Sequence, residues 1–348
     1  MRHPIALFSV LTVACTAVPQ ASSEASTFDP ADTPGTLSCE PHSLGFDPPA
    51  SIGRLIAASD SSILLVYQDA HEVVLASSDL ALTRTLRLER EGPTGVATLQ
   101  DAALIDDTLF VVADGPRRML RAFSLEGEPR WAVNLPVMPD RILATTQGVV
   151  VFPLVLAGIP VGGAYLVRDG TVQDLGVETV SLDDPQMTTL ANLVSPTIAR
   201  GTSRVVVPRQ FIAPVVAVID LAGEDDPREL AMPLAKATAP RAWWAPAPPY
   251  AEAEIERIIA PAMSTTGGPG PGEISVLTRS GGRRGEHLEK VVVRLDPSLA
   301  VLAAWTVPFN AVHIVWLASE QAYYIVTAEE TWYRCSLPFP LPLVKGPR

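Results

Sequence analysis

The chain has 348 residues, 47% hydrophobic and only 18% charged, a composition that builds a core and excludes a disordered polymer. A formal net charge of −12 excludes a general binder of nucleic acid or of anionic membrane, both of which need a basic surface. Positive charge is nearly all arginine, with lysine only at Lys236, Lys290 and Lys345.

At the amino end, Arg2 and His3 precede an apolar stretch, Ile5–Ala14. It is too short to span a bilayer and has the length of a signal-peptide core, so residues 1–20 are read as an export signal. The stretch runs into Leu11-Thr12-Val13-Ala14-Cys15, which resembles a bacterial lipoprotein box with Thr12 where leucine is usual. That resemblance implies lipidation at Cys15; the alternative is ordinary secretion after cleavage at Ala17 or Ala21. Residues 21–35 are rich in Ser, Ala, Thr, Asp and Pro and read as a flexible tether. The expected location is the periplasm or cell envelope, or the medium, with a lipid as the only membrane attachment. Farther on, Val149–Gly162 is apolar, but proline and glycine interrupt it.

A short apolar strand signal then returns six times: Leu64–Tyr67, Leu109–Val112, Val149–Phe152, Arg204–Val207, Ile274–Leu277 and Tyr323–Val326. Copies lie roughly 40–70 residues apart with further strand-like runs around most of them, the mark of a propeller blade. Turn residues divide the chain into units. The first spans Ile52–Leu88, with strands at Leu55–Ala58, Ile63–Tyr67, Glu72–Ser77 and Arg84–Leu88. The second, Val96–Leu135, has strands at Ala102–Ile105, Leu109–Val112, Leu120–Ser124 and Arg130–Val133, with turns at Asp106-Asp107 and Glu126-Gly127. The third covers Asp140–Val180, the fourth Leu193–Leu234, and the fifth Ile255–Val307 after a proline-rich insertion. Helix signals are nearly absent; Ala251–Ile259 suits a helix or a strand equally.

The sixth unit, Val312–Pro338, offers only three strands: His313–Leu317, Tyr323–Thr327 and Trp332–Leu337. The segment Thr36–Gly45 can supply the fourth, because a ring of sheets must close or leave exposed edges. The expected fold is therefore all-β: a six-bladed β-propeller over residues 36–338, closed by an N-terminal strand completing the last blade. Residues 339–348 form a C-terminal tail. Closure puts Cys39 and Cys335 on neighbouring strands. In an exported protein this pair suggests a disulfide, the alternative being two buried thiols. A bridge closing roughly 300 residues constrains the unfolded chain by about 5 kcal/mol on the chain-entropy model.

The second unit carries a recognisable pattern: Glu91-Gly92-Pro93, then Asp107-Thr108-Leu109-Phe110-Val111, Asp114, Arg118 to Phe123, and Glu126-Gly127-Glu128. It resembles a blade of the NHL-like six-bladed β-propellers of bacterial exported proteins, most clearly over Arg90–Trp131. The resemblance implies the fold and leaves activity open, since one propeller scaffold hosts binding proteins, lyases, lactonases and hydrolases. Gluconolactonase relatives use an early Glu-Gly-Pro glutamate as metal ligand. Here Glu91 is followed by Pro93-Thr94-Gly95 and several more residues before Asp101, so that role is not carried over.

No catalytic motif is present. None of His3, His42, His71, His287 and His313 has a zinc-type partner at short spacing, and there is no Gly-x-Ser-x-Gly elbow. Gly267–Gly272 lacks the Lys-Ser/Thr of a phosphate loop. His313 reads as a polar contact in the core rather than a channel residue. Asp69, Asp101, Asp114 and Asp140 read as turn caps rather than a cation ring. One constellation suggests recognition. Loops between second and third strands share a face with the inter-blade loops, which would gather Arg117, Arg118, Arg209, Arg279, Arg283 and Arg284 with His287. The insertion at 235–254 adds Trp243, Trp244 and Tyr250. Guanidinium forks suit carboxylate or phosphate, and aromatics add flat apolar area. The expected function is a binding module without cofactor, whose partner is a protein, glycan or small anionic ligand. The runner-up is a lactonase- or lyase-type enzyme with a divalent cation in the channel.

Overall fold

The computed structural model describes residues 35–156, 161–181, 185–209, 215–223, 227–231, 264–279 and 290–338. The leader, Cys15, residues 21–34 of the tether, Ala251–Ile259 and the tail lie outside the described residues.

The chain opens with β1 (Ser38–His42) and then builds sheets in series. Blade 1 is β2 (Arg54–Ser59), β3 (Ser62–Tyr67), β4 (Glu72–Ser77) and β5 (Leu82–Arg87). Blade 2 is β6 (Leu99–Ile105), β7 (Leu109–Asp114), β8 (Met119–Ser124) and β9 (Pro129–Asn134). Blade 3 is β10 (Pro139–Thr145), β11 (Gly148–Pro153), β12 (Tyr165–Arg168) and β13 (Thr171–Asp174). A short helix, α1 (Pro185–Ala191), precedes blade 4: β14 (Thr197–Ile198), β15 (Arg204–Pro208), β16 (Val215–Asp220) and β17 (Arg228–Ala231). Blade 5 is β18 (Ser264–Gly267), β19 (Ile274–Arg279), β20 (Lys290–Leu295) and β21 (Val301–Val307). Blade 6 takes β22 (Ala311–Leu317), β23 (Ala322–Thr327) and β24 (Trp332–Ser336) from the carboxyl end and β1 from the amino end. The result is a six-bladed β-propeller of four-stranded antiparallel sheets.

The recurring apolar signal is the second strand of each blade, and packing explains why it does not alternate with polar residues. Ile63, Leu65 and Tyr67 of β3 face blade 6, while Leu64 and Val66 face blade 2. In β7, Phe110 and Val112 pack toward blade 1, and Val111 and Ala113 toward blade 3. Val150 and Phe152 of β11 pack on blade 4, with Val149 and Val151 on blade 2. A strand buried on both faces needs a continuous apolar run. Each of the six apolar clusters among the described residues joins two neighbouring blades.

Closure follows the expected route. Residues Ser38–His42 pair antiparallel with Trp332–Ser336, and Cys39 stands opposite Cys335. The two cysteines form a disulfide across that pair, with Cys335 fully buried. The same segment also grips blade 5, where Leu37 N–H donates to the Thr306 carbonyl at 3.0 Å. It then crosses to the interface between blades 6 and 1, where Leu44, Phe46 and Ile52 pack.

The bridge spans 296 residues of sequence, so its loss should be felt mainly through the unfolded chain. Replacing both Cys39 and Cys335 by serine is expected to cost about 2–5 kcal/mol in urea unfolding. Reductant should lower the wild-type midpoint and leave the double variant unmoved. Equal midpoints for wild type and double variant would refute the clamp.

Candidate functional site

The first strands of the blades line a central channel enclosing about 340 Å³. They run in one direction, so their beginnings ring one mouth and their ends ring the other. Three of them share a device at the first mouth. Pairing with the second strand skips one residue between Leu99 and Asp101, between Pro139 and Arg141, and between Ala311 and His313. A bulge of this kind re-aims the side chains beside it. It places Asp101, Arg141 and His313 at equivalent positions of β6, β10 and β22.

Arg54 opens β2 and joins three blades. Its Nη1 donates to Asp101 Oδ2 and, at 3.3 Å, to the Ile142 carbonyl. The Ile142 N–H donates to the same Asp101 oxygen at 2.7 Å. Asp101 is fully buried and the Arg54 side chain is only 11% exposed, so breaking the pair would strand a charge away from water. A second relay runs beside it. Gln68 Nε2 donates to the Gln100 carbonyl, and Gln100 Nε2 donates to Asp140 Oδ1 at 3.1 Å. Gly53 permits this: a Cβ there would stand 2.9 Å from the Gln68 side chain.

Arg141 is differently placed. Its Nη1 donates to the Asp140 carbonyl at 3.3 Å and lies 3.7 Å from Asp140 Oδ1. Among the described residues its Nε and Nη2 meet no acceptor, and the guanidinium looks into the channel. Ser195, just before β14, and Thr265 of β18 line the same cavity, with the Thr265 hydroxyl donating to the Ser195 carbonyl at 2.5 Å. Burial pulls the Arg54 guanidinium well below its ordinary value; Arg141 adds to this and Asp140 opposes it. Burial likewise holds the His313 imidazole down at about 4, opposed by a hydrogen bond to the Ile52 backbone, with Arg141 and Arg54 adding and Glu330 opposing. Glu330, in the β23–β24 turn, accepts the Ile52 N–H at 3.2 Å.

Beyond this charged collar the lining mixes Ile56, Ala57, Ala144 and Ile198 with Thr197, Thr265 and Thr266. The far mouth carries Arg200, 3.6 Å from Asp60.

The residues expected from the sequence are placed as follows. Arg117 donates through Nη1 to the Gly95 carbonyl and lies 3.8 Å from Asp114. Arg118 is exposed in the same turn with φ 51°. Arg209 is buried: it donates to the carbonyls of Ala191 and Glu178, to Asn192 Oδ1 at 3.0 Å and to Glu229 Oε1 at 2.8 Å. Its guanidinium thus ties α1 to blade 4 and is not brought together with Arg117. Arg279 ends β19, and its side chain lies outside the described residues, as do Trp243, Trp244, Tyr250, Arg283, Arg284 and His287. Asp114 caps the Ala97 and Thr98 N–H groups, as expected of a turn aspartate. Asp101 and Asp140 are instead buried behind the channel mouth on Arg54 and Gln100, and His313 lines the channel while making its polar contact with the Ile52 backbone. Arg54 and Arg141 were missed. Their signal is a charged residue at the start of an innermost strand, visible only once the blades are aligned.

No family model and no curated protein matches the sequence. Among solved structures, a DUF4221 member from Bacteroides vulgatus is similar with TM-score 0.56 and 10% identity, over 85% of this chain and 95% of that one. A streptogramin B lyase is similar with TM-score 0.52 and 12% identity, over 84% of this chain and 81% of the other. Virginiamycin B lyase from Staphylococcus aureus follows with TM-score 0.50 and 11% identity, over 84% and 82%. Likeness at this identity carries the propeller fold and nothing of the chemistry.

The His313 environment has a measurable consequence. Its folded value lies near 4, below the ordinary 6.5, so between those values the unfolded chain binds more protons. Stability should be complete above about pH 6.5 and fall as pH drops toward 4, by at most about 3 kcal/mol from this group. Urea midpoints of wild type and His313→Gln at pH 7.5 and 5 should show a shallower acid loss in the variant. Parallel losses would contradict the assignment.

Proposed function

We propose that this protein is a binding module that takes an anionic group into the mouth of its central channel. The observation that carries the reading is Arg141, a guanidinium facing the channel with Nε and Nη2 free of acceptors among the described residues. A planar donor fork suits a carboxylate or a phosphate. Ser195 adds a hydroxyl from the same cavity, while Thr265 already donates to the Ser195 carbonyl and the His313 imidazole already bonds the Ile52 backbone. The turn holding Arg117 and Arg118 lies on the same face and adds positive potential at the rim.

The donor set supports this over a cation-dependent lactonase or lyase. Asp101 is held by Arg54, and Asp140 by Gln100 and Arg141. Among the described residues no group of three or more His, Cys, Asp or Glu side chains converges as a metal site would. The lyase names of the structural neighbours add nothing to this chain's chemistry.

We further propose that the blade at Arg90–Trp131 is an NHL-like repeat and that the chain is exported and lipidated at Cys15. The Cys39–Cys335 bridge supports export, because disulfides persist in oxidising compartments. Labelled palmitate should enter the full chain expressed in a bacterium and be absent from Cys15→Ser; equal label in both would exclude lipidation at this cysteine.

The anion reading is tested by thermal unfolding with acetate, benzoate, glucuronate, a sugar phosphate and neutral glucose. At 100 times Kd a ligand adds about 2.7 kcal/mol, enough to raise Tm by a few degrees. At least one anion should raise Tm in wild type and not in Arg141→Leu, with glucose silent in both. Equal shifts in wild type and variant would overturn the reading.

A further inference from the structure

We propose that the channel takes a linear dianion, with one anionic group on Arg141 at the first mouth and the other on Arg200 at the far mouth. This rests on the anion reading above and deepens it by fixing the number of charges and their separation.

The observation that carries it is how Arg200 is held. Its backbone is clasped by the turn between β18 and β19: the Arg200 N–H donates to the Glu273 carbonyl at 3.3 Å, and its carbonyl accepts the Gly272 N–H at 2.7 Å. Its Nη1 donates to the Pro269 carbonyl in the same turn. That turn is itself locked, because the Glu273 carboxylate accepts the Gly270 N–H at 2.8 Å and takes both Nε and Nη2 of Arg294 at 2.6 and 2.7 Å. Glycine is required here twice over. Gly272 has φ 71°, and a Cβ on Gly267 would stand 3.3 Å from the Ile198 carbonyl and 3.5 Å from the Arg200 Cβ. The run Gly267–Gly272 thus presents an arginine in a fixed pose, which lowers the ordering cost of binding.

Arg200 nevertheless keeps donors to spare. Its Nη2 lies 3.6 Å from Asp60, beyond a hydrogen bond, and its Nε meets no acceptor among the described residues. Asp60 belongs to blade 1 and Arg200 to blade 4, three places apart in a ring of six, so the arginine spans the far mouth. Arg141 mirrors it, with Asp140 3.7 Å away and Nε and Nη2 open. Both guanidiniums line one cavity of about 340 Å³, at the lower end of small-molecule sites. Strand β2 measures the gap, since Arg54 at its start touches Ile142 beside Arg141, and Asp60 follows its end. Six residues of strand rise roughly 20 Å, less the inward reach of two long side chains. The lining between mixes Ile56, Ala57, Ala144 and Ile198 with Thr197 and Thr266, so the site selects the spacer by length more than by polarity. Once one anion is on Arg141, the second contact is intramolecular and gains from effective concentration.

The test is isothermal titration of the purified full chain with adipate, suberate, sebacate and dodecanedioate, each against its own monomethyl ester, which keeps the length and removes one charge. One diacid should bind best, about tenfold or more above its monoester, the worth of a second charge-assisted contact. Arg200→Gln should abolish that advantage and leave the monoester unchanged. Asp60→Asn, at an exposed carboxylate, releases Arg200 and should widen the advantage at least twofold. The bisphosphate of the best length shows whether carboxylate or phosphate is preferred, and either preference supports the inference if Arg200→Gln removes it. Diacids no better than their monoesters, with both weakened by Arg141→Leu, would remove the dianion and leave the anion reading standing. Binding that ignores Arg141→Leu would remove both.

Discussion

Each sheet of this ring is apolar on both faces, and no blade can shield itself. The cluster between blades 1 and 2 holds about a dozen buried side chains, each worth about 1.5–3 kcal/mol when kept from water. A missing neighbour anywhere would expose such a face, so the fold is stable only as a closed circle. That is why the last blade borrows its outer strand from the amino end. It is also why Leu37, Phe46 and Ile52 pack at the two interfaces that flank blade 6. The disulfide at Cys39–Cys335 lies on the one seam where the covalent chain would otherwise be free to part.

Closure also creates the site. Inner strands of a rigid ring cannot approach further, so a channel remains whose walls are backbone edges and the side chains aimed inward. Bulges decide which those are. A one-residue skip at the start of β6, β10 and β22 brings Asp101, Arg141 and His313 to one level. The Arg54–Asp101 pair then fixes three blades relative to one another at that level. A buried ion pair of this kind adds little net stability compared with apolar packing, but it punishes any other register severely. Its worth here is positional: it holds the collar in which Arg141 keeps free donors.

The sequence made the architecture readable where one physical cause dominated. Second strands buried on both faces leave unbroken apolar runs, and the short sixth unit exposed the need for a borrowed strand. Asp106-Asp107 and Gly127 do take positive φ in their turns, as turn residues should. The channel residues were illegible for a matching reason. Arg141 and His313 reach the channel, and Asp101 the Arg54 pair behind it, beside a bulge, and a skip of one residue leaves no mark in composition or periodicity. Arg209 was misjudged from loop position alone; it sits at a strand end, where the structure packs α1 over it. That helix itself had a signal, since Asp184-Pro185 is a common helix start, but seven residues carry too little periodicity to stand out.

A shared fold gives these propellers the same channel and leaves its contents free. Inner-strand side chains at the mouth are set one blade at a time, so a change at one position alters the collar without touching any interface between blades. In a collar of unopposed carboxylates a cation would be the natural guest. Here each mouth carboxylate meets a donor from the neighbouring strand, with Arg54 on Asp101 and Gln100 on Asp140. Those pairings leave an arginine as the group still seeking a partner. Its complement must bring a negative charge.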